Sequence, residues 1–332
     1  MDAFQRKTLI TSRGYTYAYY IAEGRNTLPP LFFQHGWPDH AAMWEQVATP
    51  LRSTNHPIII PDMLGYGGTD KPTDPAAYAW DVMTQDLIEI IDAEGYQKFI
   101  SIGHDWGSVS AARLYNYHPN RVAGLVLLNV AYMAPMRDGF NLDATNKMTE
   151  AALGYPTFSY WHLFTAPDGP TILKGNLERL FHAQHGENGT MKKYFTGPNA
   201  LRDYLVNGSE EITCRPYARN PKFKQDFIDR MDRDGFEGPQ CWYIATKDNY
   251  HIQADKSLPE DADKVDVPVL YIGCKDDAVC RPEAMRGSIQ AGLLPKLEEA
   301  EMIDAAHWVT YEQPGEVVKR MEDWLHRHYA QN

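Results

Sequence analysis

Residues 103–107 read Gly-His-Asp-Trp-Gly and sit between two segments of different kind. Before them runs Lys98-Phe99-Ile100-Ser101-Ile102, a short apolar stretch with the character of a strand. After them, residues 108–118 have the look of a helix. A strand that turns sharply through glycine into a helix lifts the central side chain of the turn to where a reactant meets it. That side chain is usually serine; here it is Asp105. A lone aspartate at a Gly-flanked turn is most often the N-cap of the helix that follows, so the turn needs partners before it reads as chemistry.

The pattern around the turn supplies a scaffold. Residues 7–12 and 15–21 read as strands, then 31–34, closed by His35-Gly36-Trp37-Pro38. A helix is expected over 41–52 and a fully apolar strand over 57–60, which runs into a Gly-rich loop at 62–70. That loop lacks the Lys-Ser/Thr of a phosphate-binding loop and reads as a tight connection. A helix over 81–94, the turn with its strand and helix, and a buried strand over 122–130 follow. Strands alternating with helices predict an α/β fold, a mostly parallel central sheet with helices on both faces. From 131 to 255 strand runs largely vanish, and helical pieces such as 173–184 and 223–233 stand among aromatic residues, Gly and Pro. The α/β pattern returns at 267–273 and 297–303 and closes with a helix over 315–328. The expected organisation is a core of residues 1–130 and 256–332 with an inserted helical cap over 131–255.

Composition narrows the function. The chain has 332 residues, is 43% hydrophobic and carries a net charge of −12. That balance argues against a nucleic-acid partner, which needs clustered Lys and Arg. The start, Met-Asp-Ala-Phe-Gln-Arg-Lys-Thr, has no apolar signal core, and no run approaches the ~18–20 apolar residues of a membrane helix. The end, Tyr-Ala-Gln-Asn, is not a peroxisomal address. Cys214, Cys241, Cys274 and Cys280 form no metal-type pair and read as reduced thiols, so a cytoplasmic location is expected.

Asp105 has candidate partners. With a free pKa of about 3.9 it is an anion at neutral pH and needs no base to become a nucleophile. Attack on a saturated carbon leaves an ester, and breaking that ester needs a base for water and donors for the carbonyl oxygen. His307, in Ala305-Ala306-His307-Trp308 just after the last expected strand, is the candidate base. Asp276, in Gly273-Cys274-Lys275-Asp276-Asp277 at the end of the preceding strand, is preferred over Asp277 as the acid that orients it. The order nucleophile, acid, histidine is the one this strand–turn–helix scaffold uses. Backbone N–H groups of Trp37 and Trp106 are the expected oxyanion donors. Taken singly, each piece has an ordinary structural explanation; four of them at strand ends in this order do not. His104 and His35 read as structural.

With these residues in place the chain resembles the soluble epoxide hydrolases of the α/β-hydrolase fold. The resemblance covers nearly the whole length through His35-Gly36-Trp37-Pro38, Gly103-His104-Asp105-Trp106-Gly107, Lys275-Asp276 and Ala306-His307-Trp308. It implies a cis peptide at Trp37–Pro38. Haloalkane dehalogenases share these core motifs, so the inserted segment decides. There, Phe158-Ser159-Tyr160-Trp161-His162-Leu163-Phe164 and Gly235-Phe236-Glu237-Gly238-Pro239-Gln240-Cys241-Trp242-Tyr243 resemble the stretches that deliver paired tyrosines. Composition alone does not choose among the eight tyrosines of 131–255; the resemblance selects Tyr160 and Tyr243.

Two phenols suit an epoxide. Its opening yields an alkoxide, about as basic as hydroxide, whose conjugate acid water has a pKa of about 15.7. A phenol of pKa about 10 binds the ring oxygen and hands it a proton. A halide needs only N–H donors, and Trp106 would serve it, so a dehalogenase is the alternative reading. A catalytically silent ligand-binding protein on the same fold is the second. The resemblance implies no cofactor and no metal. A pocket lined by Trp37, Trp106, Trp161 and Phe164 suggests an epoxide with an apolar or aryl substituent. The chain departs from the family pattern at Ala306, where Gly is common, and at the bulky Trp161.

Overall fold

The computed structural model describes residues 1–329. Eight strands form one sheet: β1 (Gln5–Ile10), β2 (Thr16–Ala22), β3 (Leu31–Gln34), β4 (Ile58–Pro61), β5 (Phe99–His104), β6 (Val122–Leu128), β7 (Val269–Ile272) and β8 (Leu297–Glu299). They lie in the order β1-β2-β4-β3-β5-β6-β7-β8. The β1–β2 and β2–β4 pairings are antiparallel and the rest parallel. Side chains alternate between two apolar layers, as strand geometry requires. In β6, Leu125 and Leu127 join one layer with Phe32 and Phe99. Val126 and Leu128 join the other with Phe33, Ile100 and Ile102. β3, β4, β5 and β7 are buried along their whole length because helices cover both faces.

Boundaries differ from expectation where local chemistry intervenes. The helix expected over 41–52 is a 3₁₀ turn, Ala41–Trp44, followed by helix Glu45–Leu51. The helix expected over 173–184 divides into Gly169–Lys174 and Leu177–His185, broken at Gly175-Asn176. There the Asn176 side chain donates to the Ile172 carbonyl at 2.8 Å and ends the first helix. β6 stops at Leu128 because Asn129 turns left-handed, with φ 65°. The strand expected over 297–303 shortens to three residues at the sheet edge, and the chain then makes an isolated bridge, Cys274–Ile303, just beyond β7. Its glutamates at 298, 299 and 301 favour water over a flat, extendable edge.

Between β6 and β7 the regular elements are helices, among them Trp161–Phe164, Pro221–Asp234, Glu237–Lys247 and Tyr250–Asp255. Two buried contacts tie this segment to the sheet's helices and loops. Asp255 pairs with Arg113 at 3.2 Å and accepts from Tyr117 and from the Met136 backbone. The Trp242 indole donates to the Leu64 carbonyl at 2.9 Å. The first fastens helix Tyr250–Asp255 to helix Trp106–Tyr117, and the second fastens helix Glu237–Lys247 to the loop after β4.

Candidate active site

Asp105 stands between β5 and helix Trp106–Tyr117 with φ 55° and ψ −127°. For a residue with a Cβ this is a strained conformation, of the kind that persists where its surroundings over-determine it. Here tight packing does so. A Cβ on Gly103 would lie 2.0 Å from the Gly107 carbonyl oxygen, and one on Gly36 would lie 2.2 Å from Asp105 Oδ1. The carboxylate makes no N-cap bond to its own helix. Its Oδ1 accepts instead from the Trp37 backbone N–H at 2.9 Å, and the Trp106 N–H also faces the carboxylate. Its Oδ2 lies 3.4 Å from His307 Nε2. Burial alone would raise the pKa of Asp105, but His307 and these donors outweigh it and hold the carboxyl below its ordinary value. The peptide Trp37–Pro38 is cis.

The acid beside His307 is Asp277, not the expected Asp276. His307 Nδ1 donates to Asp277 Oδ2 at 2.7 Å. Asp276 is exposed and borders a surface depression of about 580 Å³ with Tyr155, Lys192 and Lys275. The reason is backbone direction. Lys275 and Asp276 are still bonded as an extension of the sheet, to the carbonyls of Ile303 and Ala305. The chain turns inward only at Asp277, which is fully buried and whose neighbours Ala278 and Val279 are buried too. Asp277 Oδ1 accepts from the N–H groups of Val279 at 3.0 Å and Cys280 at 2.9 Å, and Oδ2 also accepts from Asn129 Nδ2 at 2.8 Å. The signal available in the sequence is the small apolar pair after Asp277, against the charged Lys275 before Asp276.

The loop of His307 is clamped from both sides. His104 Nε2 lies 2.7 Å from the His307 carbonyl oxygen, to which it donates. Burial lowers the pKa of His104 to about 4, so it does so as a neutral ring. Trp308 and Tyr311 both donate to buried Asp39, at 3.0 and 2.7 Å. His35 is structural by its bonds. Its Nε2 accepts from Met63 N–H, so Nδ1 carries the proton toward the Gly36 carbonyl. For His307, burial opposes charge, but Asp277, then Cys280 and Asp105, outweigh it and hold the imidazole pKa well above the usual value.

Tyr160 precedes helix Trp161–Phe164, and its backbone N–H is fixed on the Phe195 carbonyl at 3.0 Å. Tyr243 lies within helix Glu237–Lys247, one residue from the anchored Trp242. The two rings meet edge-on, with centroids 6.0 Å apart. Tyr160 is 8% exposed and Tyr243 2%. Burial, with the Asp105 charge adding to it, raises both phenols well above their ordinary pKa, so both stand protonated. The four expected pocket residues gather around Tyr243: Trp161 and Phe164 at 5.0 Å, Trp106 at 5.2 Å and Trp37 at 6.4 Å between centroids.

Two residues here were not expected from the sequence. Asn129 holds Asp277. Cys280 brings its thiol into the space of Asp105 and His307, where one ligand atom from each of the three lies within 4.8 Å of the others. Burial pushes that thiol up to about 12. All four cysteines are free. Among the described residues no helix is long and apolar enough to cross a membrane.

The profile of the α/β hydrolase fold matches residues 29–314, most of the chain. The chain belongs to the α/β-hydrolase fold family. Within it, the chain is 26% identical over 301 residues to the bifunctional epoxide hydrolase 2 of Mus musculus, covering 90% of this chain and 51% of that protein. This α/β hydrolase thus spans about half the length of the mammalian relatives it matches. It is 25% identical over 314 residues to epoxide hydrolase A of Mycobacterium tuberculosis, with 92% of each chain covered. The crystal structure of epoxide hydrolase A from Mycobacterium thermoresistibile superposes with a TM-score of 0.80 at 23% identity, over 99% of this chain and 100% of that one. A Vigna radiata epoxide hydrolase mutant gives 0.77 at 22%, over 98% of this chain and 100% of that one. At such identity the structural likeness speaks to the α/β-hydrolase fold.

Proposed function

We propose that the protein is an epoxide hydrolase that converts epoxides to vicinal diols through an ester on Asp105. The observation that carries this reading is one arrangement. An ionised carboxylate has one oxygen held by the Trp37 backbone N–H and the other facing an imidazole, near two buried, protonated phenols. The names of the curated relatives support the same substrate class.

Asp105 Oδ2 attacks an epoxide carbon while Tyr160 and Tyr243 bind the ring oxygen. One phenol gives its proton to the opening alkoxide. Esterification removes the charge of Asp105, one of the groups that keep His307 protonated. The imidazolium then yields its proton and the phenol is restored. Neutral His307, with Nδ1–H on Asp277, takes a proton from water, and the hydroxide attacks the Asp105 carbonyl carbon. Charge collects on Oδ1, where the N–H groups of Trp37 and Trp106 receive it. Collapse expels the diol alkoxide, which takes the proton of the new carboxyl group. Asp105 is again ionised and His307 again protonated.

The helical segment 131–255 acts as a cap on a core of 1–130 and 256–332, and both tyrosines come from it. Trp37, Trp106, Trp161 and Phe164 fit an apolar or aryl substituent. The dehalogenase reading is weaker because two buried, protonated phenols stand near Asp105, which an opening epoxide oxygen uses and a departing halide does not need. A silent binding protein has no use for an ionised nucleophile opposite a paired imidazole.

The test is one turnover of a styrene-type epoxide with enzyme in excess in heavy-oxygen water. The first diol should carry no solvent oxygen, because its new oxygen comes from Asp105. Solvent oxygen in that first diol would overturn the ester route. Release of chloride from a chloroalkane at a comparable rate would favour the dehalogenase instead.

A further inference from the structure

We propose that Asp105, Cys280 and His307 form a binding site for a soft divalent cation such as Zn²⁺ or Cd²⁺, and that its occupation shuts the catalytic centre. The three side chains offer one carboxylate oxygen, one sulfur and one imidazole nitrogen within 4.8 Å of one another. This mixed O, S and N set suits Zn²⁺ and Cd²⁺ and not Mg²⁺ or Ca²⁺, which prefer oxygen alone.

The geometry is close to a tetrahedral site. With bonds of about 2.0–2.2 Å to oxygen and nitrogen, two such ligands on one ion sit roughly 3.4 Å apart. Asp105 Oδ2 and His307 Nε2 are 3.4 Å apart. The sulfur edge of such a site is roughly 3.5 Å, against separations within 4.8 Å here, so a small shift of the thiol completes it. The fourth position is left for water.

The surroundings are those of a metal-binding histidine. Such a ring gives its other N–H to a carboxylate, which fixes the tautomer and turns the ligating lone pair to the ion. Here Asp277 takes the Nδ1–H at 2.7 Å. Its other oxygen holds the backbone N–H of Cys280 at 2.9 Å. One buried carboxylate therefore orients two of the three ligands. Binding releases two protons to solvent, the thiol proton and the Nε2 proton of the His307 imidazolium, and puts one carboxylate and one thiolate on the dication; their charges cancel, and Asp277 keeps its own negative charge against the Nδ1–H. Of the three ligand residues Cys280 is the least buried.

Occupation takes the free oxygen of Asp105 and Nε2 of His307. Inhibition of epoxide turnover follows, and that consequence rests on the proposed function; binding itself does not. The experiment titrates chelator-treated full-length protein with Cd²⁺, following the ultraviolet thiolate-to-cadmium absorption and the calorimetric stoichiometry. Wild-type protein should bind one equivalent with the thiolate band. Cys280→Ser should lose the band and bind at least about tenfold more weakly, and Asp277→Asn roughly 10–100-fold more weakly. Cys214→Ser should match wild type, and Mg²⁺ should produce neither band nor heat. In wild-type protein, Zn²⁺ should protect Cys280 from alkylation by iodoacetamide, read by mass spectrometry, which needs no folded variant. A thiolate band that survives in Cys280→Ser, or no protection of Cys280, would overturn the site. Parallel rates with a styrene-type epoxide, each normalised to the same variant without metal, should show inhibition in wild type and relief in Cys280→Ser. Binding as expected with no turnover in any variant would count against the proposed function and leave the metal site standing.

Discussion

The sheet end and the helical segment build their halves of the candidate site by different means. At the sheet end, Asp105, Asp277 and His307 lie where strands stop, and hydrogen bonds of fixed direction set their carboxylates and rings. Asp277 alone accepts four bonds, from Val279, Cys280, Asn129 and His307. In the helical segment, Tyr160 and Tyr243 are placed by ring-to-ring packing and by the Trp242 and Phe195 anchors of their backbones. Directional bonds place a group to a few tenths of an ångström. Packing places a ring less narrowly but excludes water around it. The first suits a nucleophile and its base; the second suits acids that must stay protonated.

The sharpest way to break the sheet-end half is His307→Gln. Steady turnover should fall by roughly 10⁴-fold or more, as for loss of a catalytic histidine elsewhere. Alkylation should persist, so mass spectrometry should find an epoxide adduct on Asp105. Substrate binding without an adduct would contradict the separation of the two steps.

Next in size is the contrast between adjacent aspartates. Asp277→Asn should cost roughly 10³–10⁴-fold in kcat, by analogy with loss of a triad acid. Asp276→Asn should leave kcat within about twofold, as for an exposed residue away from the chemistry. The pH profile sharpens this. Protonated His307 cannot activate water, so ester hydrolysis rises with pH through the pKa of that ring. Asp277 raises this pKa; its removal should move the rising limb to lower pH while the plateau falls. Equal losses from both substitutions would dissolve the assignment.

The helical half should respond less. Tyr160→Phe and Tyr243→Phe should each slow the alkylation step by roughly 10²-fold, the lower range of proton-transfer catalysis, with single-turnover hydrolysis of a preformed ester unchanged. If ester hydrolysis slows instead, the phenols serve a different step.

The smallest effect on chemistry is expected from the tie between the halves. Arg113→Met strands Asp255 without its buried partner. It should lower stability by about 3–5 kcal/mol in urea denaturation. The rate per folded molecule should change less than for either tyrosine. A stability change near zero would mean the Arg113–Asp255 pair is not what holds the helical segment down.

How legible this was in the sequence differs by residue. The alternation in β6 and the strand–Gly–helix signature around Asp105 depend on neighbours one to five positions away, so they survive without tertiary knowledge. The place of His307 after the last strand follows from element order. Asp276 and Asp277 look alike as adjacent aspartates in a loop until the backbone direction is known. Asn129 and Cys280 were invisible as partners. One lies 148 residues from Asp277, and the other matters only because Asp277 folds its N–H inward.

The sequence by itself determined the α/β scaffold, the carboxylate at the turn, the histidine after the last strand and, through resemblance, the two tyrosines. The tertiary structure decided which aspartate faces the imidazole, that two distant rings meet at 6.0 Å, and that a thiol shares their centre. The physical reason is range. Strand and helix patterns are set by neighbouring residues, whereas a site made at strand ends depends on which way each chain turns after leaving the sheet, and only packing selects that.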